Sequence, residues 1–344
     1  MEIGTLLNER YQLQATLGTG GMAQVFRAMD ITLERPVAVK ILKTDVSSDT
    51  QAQERFRQEA KAIANLTHPN IVTLHDFGFD QGVLFFVMEY LPGSNLKQLI
   101  KQKGAYTAYE ALPIMIQVCA GLGFAHRTNV VHCDVKPHNV IVTDDRRVKV
   151  TDFGIARVIQ NTEHEDQLEE VVWGSPLYFA PEQAMGKQPS PASDVYSAGV
   201  TFYEMLTGRP PFVAKTAERL ARLHIEEVPT DPRVYSPDLP EELSRILLKV
   251  LSKEPSIRYR NGDQFATVLR SIYDQTRPLK ANLSSNKRPS RKASSNPDKA
   301  DKAMLLDEGI NWTNLLLGLL AVILVGGLIP FWLGIVLKWI NIFR

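Results

Sequence analysis

Between residues 10 and 91 apolar and polar positions alternate in short runs, YQLQATLG, AQVFRAM, RPVAVKIL, IVTLHDFGF and VLFFVMEYL. That is the period of strands with one buried face, and it predicts an antiparallel sheet. One stretch breaks the alternation. In TQAQERFRQEAKAIANL, Phe56, Ala60 and Ile63 recur at helical spacing with Glu59 beside the stripe, so one helix interrupts the sheet. From Leu96 to about Tyr273 helical periods dominate, broken by short apolar runs around 130–151. Strands first and helices after predict an α+β fold of two lobes, about 11–91 and about 94–273, joined near Leu91, Pro92 and Gly93.

The pattern then stops. Residues 277–309 open with RPLKANLSSNKRPSRKASSNPDKADK, rich in Ser, Asn, Pro and Lys with scarcely a large apolar residue, which predicts a disordered basic linker. Residues 315–337 carry no charge in 23 positions. As a helix this run is about 34 Å long, enough to cross a hydrocarbon core of roughly 30 Å. Trp312 and Trp339 flank it as interfacial anchors, and Lys338 opens a short tail, 338–344. Pro330 is compatible with a membrane helix.

Composition narrows the classes. The 344 residues are 44% hydrophobic, which fills a core and excludes disorder throughout, and 39 Lys+Arg against 38 Asp+Glu leave a net charge of +1, so no chain-wide basic field points to nucleic acid. Cys119 and Cys133 are the two cysteines, too few for a disulfide framework and in keeping with a reducing compartment. MEIGTLLNERYQL lacks the apolar core of a signal peptide. Lys and Arg close to the span are balanced, Lys299 and Lys302 before it against Lys338 and Arg344 after it, so thiols and the missing leader carry the topology. They predict a single-pass protein of the cell membrane, its large domain cytoplasmic and seven residues beyond the span.

Four pieces of chemistry stand out. Gly18, Thr19, Gly20, Gly21, Met22 and Ala23 form a glycine-rich turn whose backbone N–H groups suit phosphate oxygens. A second strand pattern follows it, where a dinucleotide-binding turn would open a helix, so it reads as a hairpin tip. Lys40 ends the apolar run Val37, Ala38, Val39 and needs an anionic partner, either Glu59 or a nucleotide's phosphates. In VVHCDVKPHNVIV, Asp134 suits orienting a hydroxyl and taking its proton, Lys136 neutralising a phosphoryl group in transfer, and Asn139 offering a neutral oxygen to a hard cation. Asp152, in DFG after the run VKVT, suits Mg²⁺, which takes few protein carboxylates.

In this order the pieces resemble the protein kinases: GTGGMAQV the glycine-rich loop, VAVK the strand lysine, Glu59 the helix glutamate, HCDVKPHN the catalytic loop, DFG as it stands, and Ala180-Pro181-Glu182 the APE triplet. SDVYSAGV, RPPF and KEPSIRY extend the resemblance over 11 to about 273. DVKPHN resembles the serine/threonine branch, and GTGGM and LTHPNIV with the C-terminal span look most like the eukaryotic-like kinases of bacteria. The resemblance implies ATP along Leu17, Gly18, Thr19, Gly20, Gly21, Met22, Ala23, Gln24, Val25 and Ala38, with Lys40 on the α/β-phosphates and paired with Glu59. It implies Met88, Glu89 and Leu91 at the adenine pocket and hinge, and Mg²⁺ on Asn139 and Asp152. It assigns His132 and Phe153 to an apolar spine, Asp194 to accepting catalytic-loop amides, and Arg258 to pairing with Glu182.

Two departures matter. Cys133 stands where the family usually has an arginine that meets an activation-segment phosphate, and NTEHEDQLEEVVW holds five carboxylates, no Lys or Arg and one hydroxyl, Thr162. This predicts activity without loop phosphate, with a redox role for Cys133 as the other reading. Ala23 at the third glycine position and Ser175 in place of threonine remove no catalytic group. The linker's KRPSRKAS is either a solvated spacer or a contact for anionic lipid released by phosphorylation at Ser290 or Ser294. The chain is thus expected to be a membrane-tethered serine/threonine kinase using ATP and Mg²⁺ on protein substrates. A pseudokinase or nucleotide-binding membrane scaffold is the alternative, and WGSPLYFAPE, which resembles a peptide platform, disfavours a kinase of small molecules.

Overall fold

The computed structural model describes residues 1–21, 23–45, 50–153 and 176–276. The predicted linker, span and tail, with Ser290 and Ser294, lie outside the described residues, as do Met22 and Thr162. The chain divides into two units, 1–279 and 280–344, and every described residue belongs to the first.

The N-terminal lobe is an antiparallel sheet of six strands: β1 (Leu6–Leu7), β2 (Tyr11–Thr19), β3 (Ala23–Asp30), β4 (Arg35–Asp45), β5 (Leu74–Asp80) and β6 (Val83–Glu89), in the order β1-β2-β3-β4-β6-β5. Helix α1 (Thr50–Ala64) interrupts it between β4 and β5. Strand alternation separates two apolar layers. Phe26, Val37, Val39, Ile41, Phe85 and Val87 pack on one face with Leu7, Tyr11 and Leu13, while Ala38, Leu42, Phe86 and Met88 pack on the other with Ala60 of α1. Register decides what accompanies Lys40: it pairs with Val25 on β3 and Phe86 on β6, and Ala38 pairs with Met88. Val25, Ala38, Lys40, Phe86 and Met88 therefore share one face.

The second lobe is built from β7 (Gly93–Asn95), α2 (Leu96–Lys103), α3 (Ala108–Arg127), β8 (Val140–Thr143), β9 (Val148–Val150), α4 (Pro181–Ala184), α5 (Pro191–Thr207), α6 (Ala217–Glu226), α7 (Glu241–Val250) and α8 (Gly262–Thr276). Helix α5 is buried from Ser193 to Leu206, apolar on nearly every side, and ends on Gly208 in the left-handed conformation. Helix α3 lies against α5 and α8. Around them one continuous apolar core takes in Leu112, Met115, Val118, Leu122, Val195, Phe202, Leu247 and Phe265.

Strands β7, β8 and β9 form a small antiparallel sheet, with Val140 opposite Val150. That hairpin matters for chemistry. It sets the residue just before β8, Asn139, beside the residues just after β9, and Thr151 donates its backbone N–H to the Asn139 carbonyl at 2.9 Å.

Candidate active site

The catalytic-loop stretch runs between α3 and β8 and closes with a 3₁₀ turn, Pro137–Asn139, whose Pro137 suits the first helical position. Asp134 lies at its centre. Its Oδ2 accepts from Lys136 Nζ at 2.6 Å and from Asn139 Nδ2 at 3.1 Å, and Asn139 Nδ2 also donates to the Asp134 carbonyl at 2.9 Å. With its amide nitrogen turned to Asp134, Asn139 keeps Oδ1, a neutral oxygen, as the end suited to a hard cation.

A buried carboxylate from α5 fixes the loop behind these groups. Asp194 accepts the backbone N–H of His132 at 2.7 Å and of Cys133 at 2.9 Å, and its Oδ2 lies 2.9 Å from His126 Nε2. Gln183 Nε2 donates to the Cys133 carbonyl at 2.8 Å. Residue 133 is thus held on both sides of its peptide in a left-handed conformation, φ 67°. His132 is fully buried, donates from Nε2 to the Thr151 carbonyl at 2.9 Å and accepts the Asp134 N–H at Nδ1. Its ring meets Phe153, also buried, at 4.5 Å between centroids. Cys133 is half-buried, and Cys119 is wholly buried, its thiol pushed up by desolvation.

Across the cleft Lys40 Nζ contacts Asp152 Oδ1 at 2.8 Å. Burial by itself raises the Asp152 carboxyl pKa, but the Lys40 ammonium outweighs it and holds the group below the ordinary carboxylate range. Asp152 has φ 67°, a left-handed turn that leads the chain off β9. Glu59 is on α1, but its side chain is outside the described residues, so the structure brings together Lys40 and Asp152 and is silent on Lys40 and Glu59. Ile63, Val72, Leu74, Phe86 and Met88 line a cavity closed by Asp152 and Phe153.

The glycine-rich turn is the tip of the β2–β3 hairpin, and Lys43 Nζ pins it through the Gly20 carbonyl at 2.7 Å. A Cβ built at Gly18 or Gly21 meets nothing within 4 Å, and one at Gly20 meets only the Ala23 carbonyl, at 3.7 Å. The chain's own packing does not call for glycine there. What the missing side chains leave open is approach of an external group to the backbone amides. Leu17 is exposed, and Ala23, Gln24 and Val25 are half-buried along β3.

Sequence reasoning missed several partners. Glu89, read as a hinge residue, turns its carboxylate inward: Oε1 accepts the Thr73 N–H at 2.7 Å and a contact from Lys149 Nζ, which also donates to the Ile71 carbonyl at 3.2 Å. Lys97 of α2 and Tyr178 converge on Glu204 of α5. No local signal announces these pairs, because the partners are 60 and 107 positions apart. Farther from the cleft, the pair assigned from sequence, Arg258 and Glu182, makes a double contact at 2.8 and 2.9 Å, and the partner not foreseen is Ser193, which donates to the same carboxylate at 2.6 Å.

Residues 11–269 match the protein kinase domain family. The chain belongs to that family. Over the kinase domain it is similar to the serine/threonine-protein kinase PrkC of Bacillus subtilis, 38% identical over 279 residues that are 80% of this chain and 42% of PrkC. It is likewise similar to PknA of Mycobacterium tuberculosis, 41% identical over 80% of this chain and 64% of PknA. The chain thus spans less than two thirds of the length of these curated relatives. Among solved structures, the PknI kinase domain of Mycobacterium tuberculosis superposes with a TM-score of 0.63 at 27% identity, covering 79% of this chain and 98% of that one. The two-lobed architecture of sheet and helices is that of the family.

Proposed function

We propose that the chain is a serine/threonine protein kinase that transfers the γ-phosphoryl group of MgATP to hydroxyls of protein substrates. We propose further that residues 315–337 tether it to the cell membrane as a single span, with the catalytic domain cytoplasmic. The observation that carries the first reading is the convergence of Asp134, Lys136 and Asn139 on one turn, with Asn139 hydrogen-bonded to the strand end that presents Asp152 to Lys40. The names of the similar proteins, all serine/threonine kinases, support the choice of hydroxyl.

In this reading Asp134 orients the incoming hydroxyl and takes its proton as the new O–P bond forms, the bond from the γ-phosphorus to the bridging oxygen breaks and ADP leaves. Lys136 places a cation where charge gathers on the transferred group. Lys40 holds the α- and β-phosphates, and the open glycine backbone covers them. Bound Mg²⁺ neutralises phosphate charge, and Asn139 Oδ1 and Asp152 are the oxygen donors suited to holding it. The cavity closed by Asp152 has apolar walls, and Met88 on one of them, with Ala38 opposite it in the sheet register, borders the base.

The test is transfer of labelled γ-phosphate by the full chain in detergent, to itself and to a generic protein substrate. Asp134→Asn should lower transfer by about 10²–10⁴-fold, while Thr162→Ala retains it, since Cys133 supplies no cation for a loop phosphate. ATP binding without transfer by the wild type would favour a nucleotide-binding scaffold. For the tether, carbonate washing of membranes should leave the full chain in the pellet and release a chain ending at Gly309. Release of both overturns the span.

A further inference from the structure

We propose that Lys43 is a positioning residue for the nucleotide's phosphates: by drawing the Gly20 carbonyl to the face of the sheet opposite Lys40, it turns the N–H of Gly21 toward the cleft. The proposal rests on the kinase reading and deepens it, giving an exposed lysine outside the catalytic loop a share in the affinity for ATP and ADP.

The ladder between β2 and β3 ends at the pair Thr19 and Gln24. Past it the Gly20 N–H closes the turn on the Ala23 carbonyl at 2.9 Å, but no ladder pair fixes the peptide that joins Gly20 to Gly21. Between two glycines such a unit turns over at little steric cost, and a Cβ at either position finds no contact closer than 3.7 Å. Packing therefore leaves its orientation open. Among the described residues, the side chain that bonds this turn is Lys43, whose exposed ammonium donates to the Gly20 carbonyl at 2.7 Å.

The side from which Lys43 reaches decides where the amide points. Strand β4 lies beside β3 with Val25 opposite Lys40 and Ala23 opposite Leu42. Ala38 and Leu42 pack in the apolar layer with Ala60 of α1, and Val39 and Ile41 pack in the other layer. Lys40 belongs to the first face, and Lys43 by alternation to the second. A trans peptide carries its N–H directed away from its carbonyl. With the carbonyl held toward Lys43, the Gly21 N–H faces the side on which Lys40 meets Asp152, where a phosphate oxygen can accept it. Without Lys43 the nucleotide must itself order the Gly20–Gly21 unit, at a cost in affinity.

The experiment measures Kd of the full chain in detergent for MgATP, MgADP and adenosine by calorimetric titration. Lys43→Met should weaken MgATP and MgADP binding by about 3–10-fold and leave adenosine unchanged, because adenosine has no phosphate for the amide to meet. A lysine that merely supported the hairpin would move all three ligands alike. One acting only as a nearby charge would lose its effect at about 0.5 M salt, whereas an oriented amide keeps it. Equal MgATP affinity in wild type and Lys43→Met, a parallel loss of adenosine binding, or a difference that vanishes in high salt overturns the proposal and leaves the kinase reading standing. A wild type that binds neither nucleotide overturns both.

Discussion

Residue 133 occupies a left-handed conformation without being glycine, at φ 67°, a strain of roughly 1–2 kcal/mol. Asp194, through two backbone amides, and Gln183, through the carbonyl, hold it there. Lys149 does comparable work for the hinge. It sits on β9, three residues before Asp152, and ties the Glu89 carboxylate to the Ile71 carbonyl. One lysine thus joins the end of β6 to the strand that delivers Asp152. Among the described residues, Lys149→Met leaves the Glu89 carboxylate with the Thr73 N–H. Because Lys149 is buried and Glu89 partly exposed, a loss of about 1–3 kcal/mol is expected. Denaturant unfolding checks that figure, and steady-state kinetics should show KM for ATP rising more than kcat falls. An unchanged KM would confine Lys149 to stability.

At the scale of elements, composition and context pull α3 in different directions. Its 20 residues are long and apolar enough to cross a membrane by length and composition, with a mean hydropathy of 1.4 over an 18-residue window, yet half of that window is buried within the lobe. It is the lobe's central helix, and the α8 side of it is so close that a Cβ on Gly123 would meet the Asp263 carboxylate at 2.3 Å. Leu122, fully buried beside it, anchors the same seam. Leu122→Ala is expected to cost about 2–5 kcal/mol, read as a lower urea midpoint with an unchanged slope. A cost below about 1 kcal/mol would mean that the α3–α8 seam collapses onto the gap. The 315–337 run is more apolar still and carries no charge, whereas α3 is covered by α5 and α8.

At the scale of the whole molecule, part of the acid limb of stability comes from the helical lobe. His224 is fully buried, its Nδ1 3.0 Å from the Tyr196 hydroxyl and its ring edge-on to Phe212, and burial, aided by Lys253, pushes its pKa down to about 4. The unfolded chain therefore takes up a proton near pH 6.5 that the folded chain refuses until about 4, so stability falls as pH drops through that window, by roughly 3 kcal/mol. Glu182 adds to this below about 4.5, because burial, which raises its pKa, is outweighed by Arg258 and Ser193. Thermal midpoints between pH 7 and 4.5 should decline, and His224→Gln, which does not titrate, should flatten the profile; an identical slope in both proteins would remove His224 as its source. Sequence alone determined the two-lobed α+β class, because strand and helix periods are local. It also kept Asp134, Lys136 and Asn139 within one turn, because their spacing is too short for the fold to separate them. The antiparallel register that sets Asn139 beside Asp152, the contact of Lys40 with Asp152, the partly buried carboxylate of Glu89 and the buried ones of Glu182, Asp194 and Glu204, each with its cation or amides, were decided only by tertiary structure. A buried charge takes whichever partner the folded chain brings within reach, and desolvation, which makes that partner indispensable, leaves no periodic trace in the sequence.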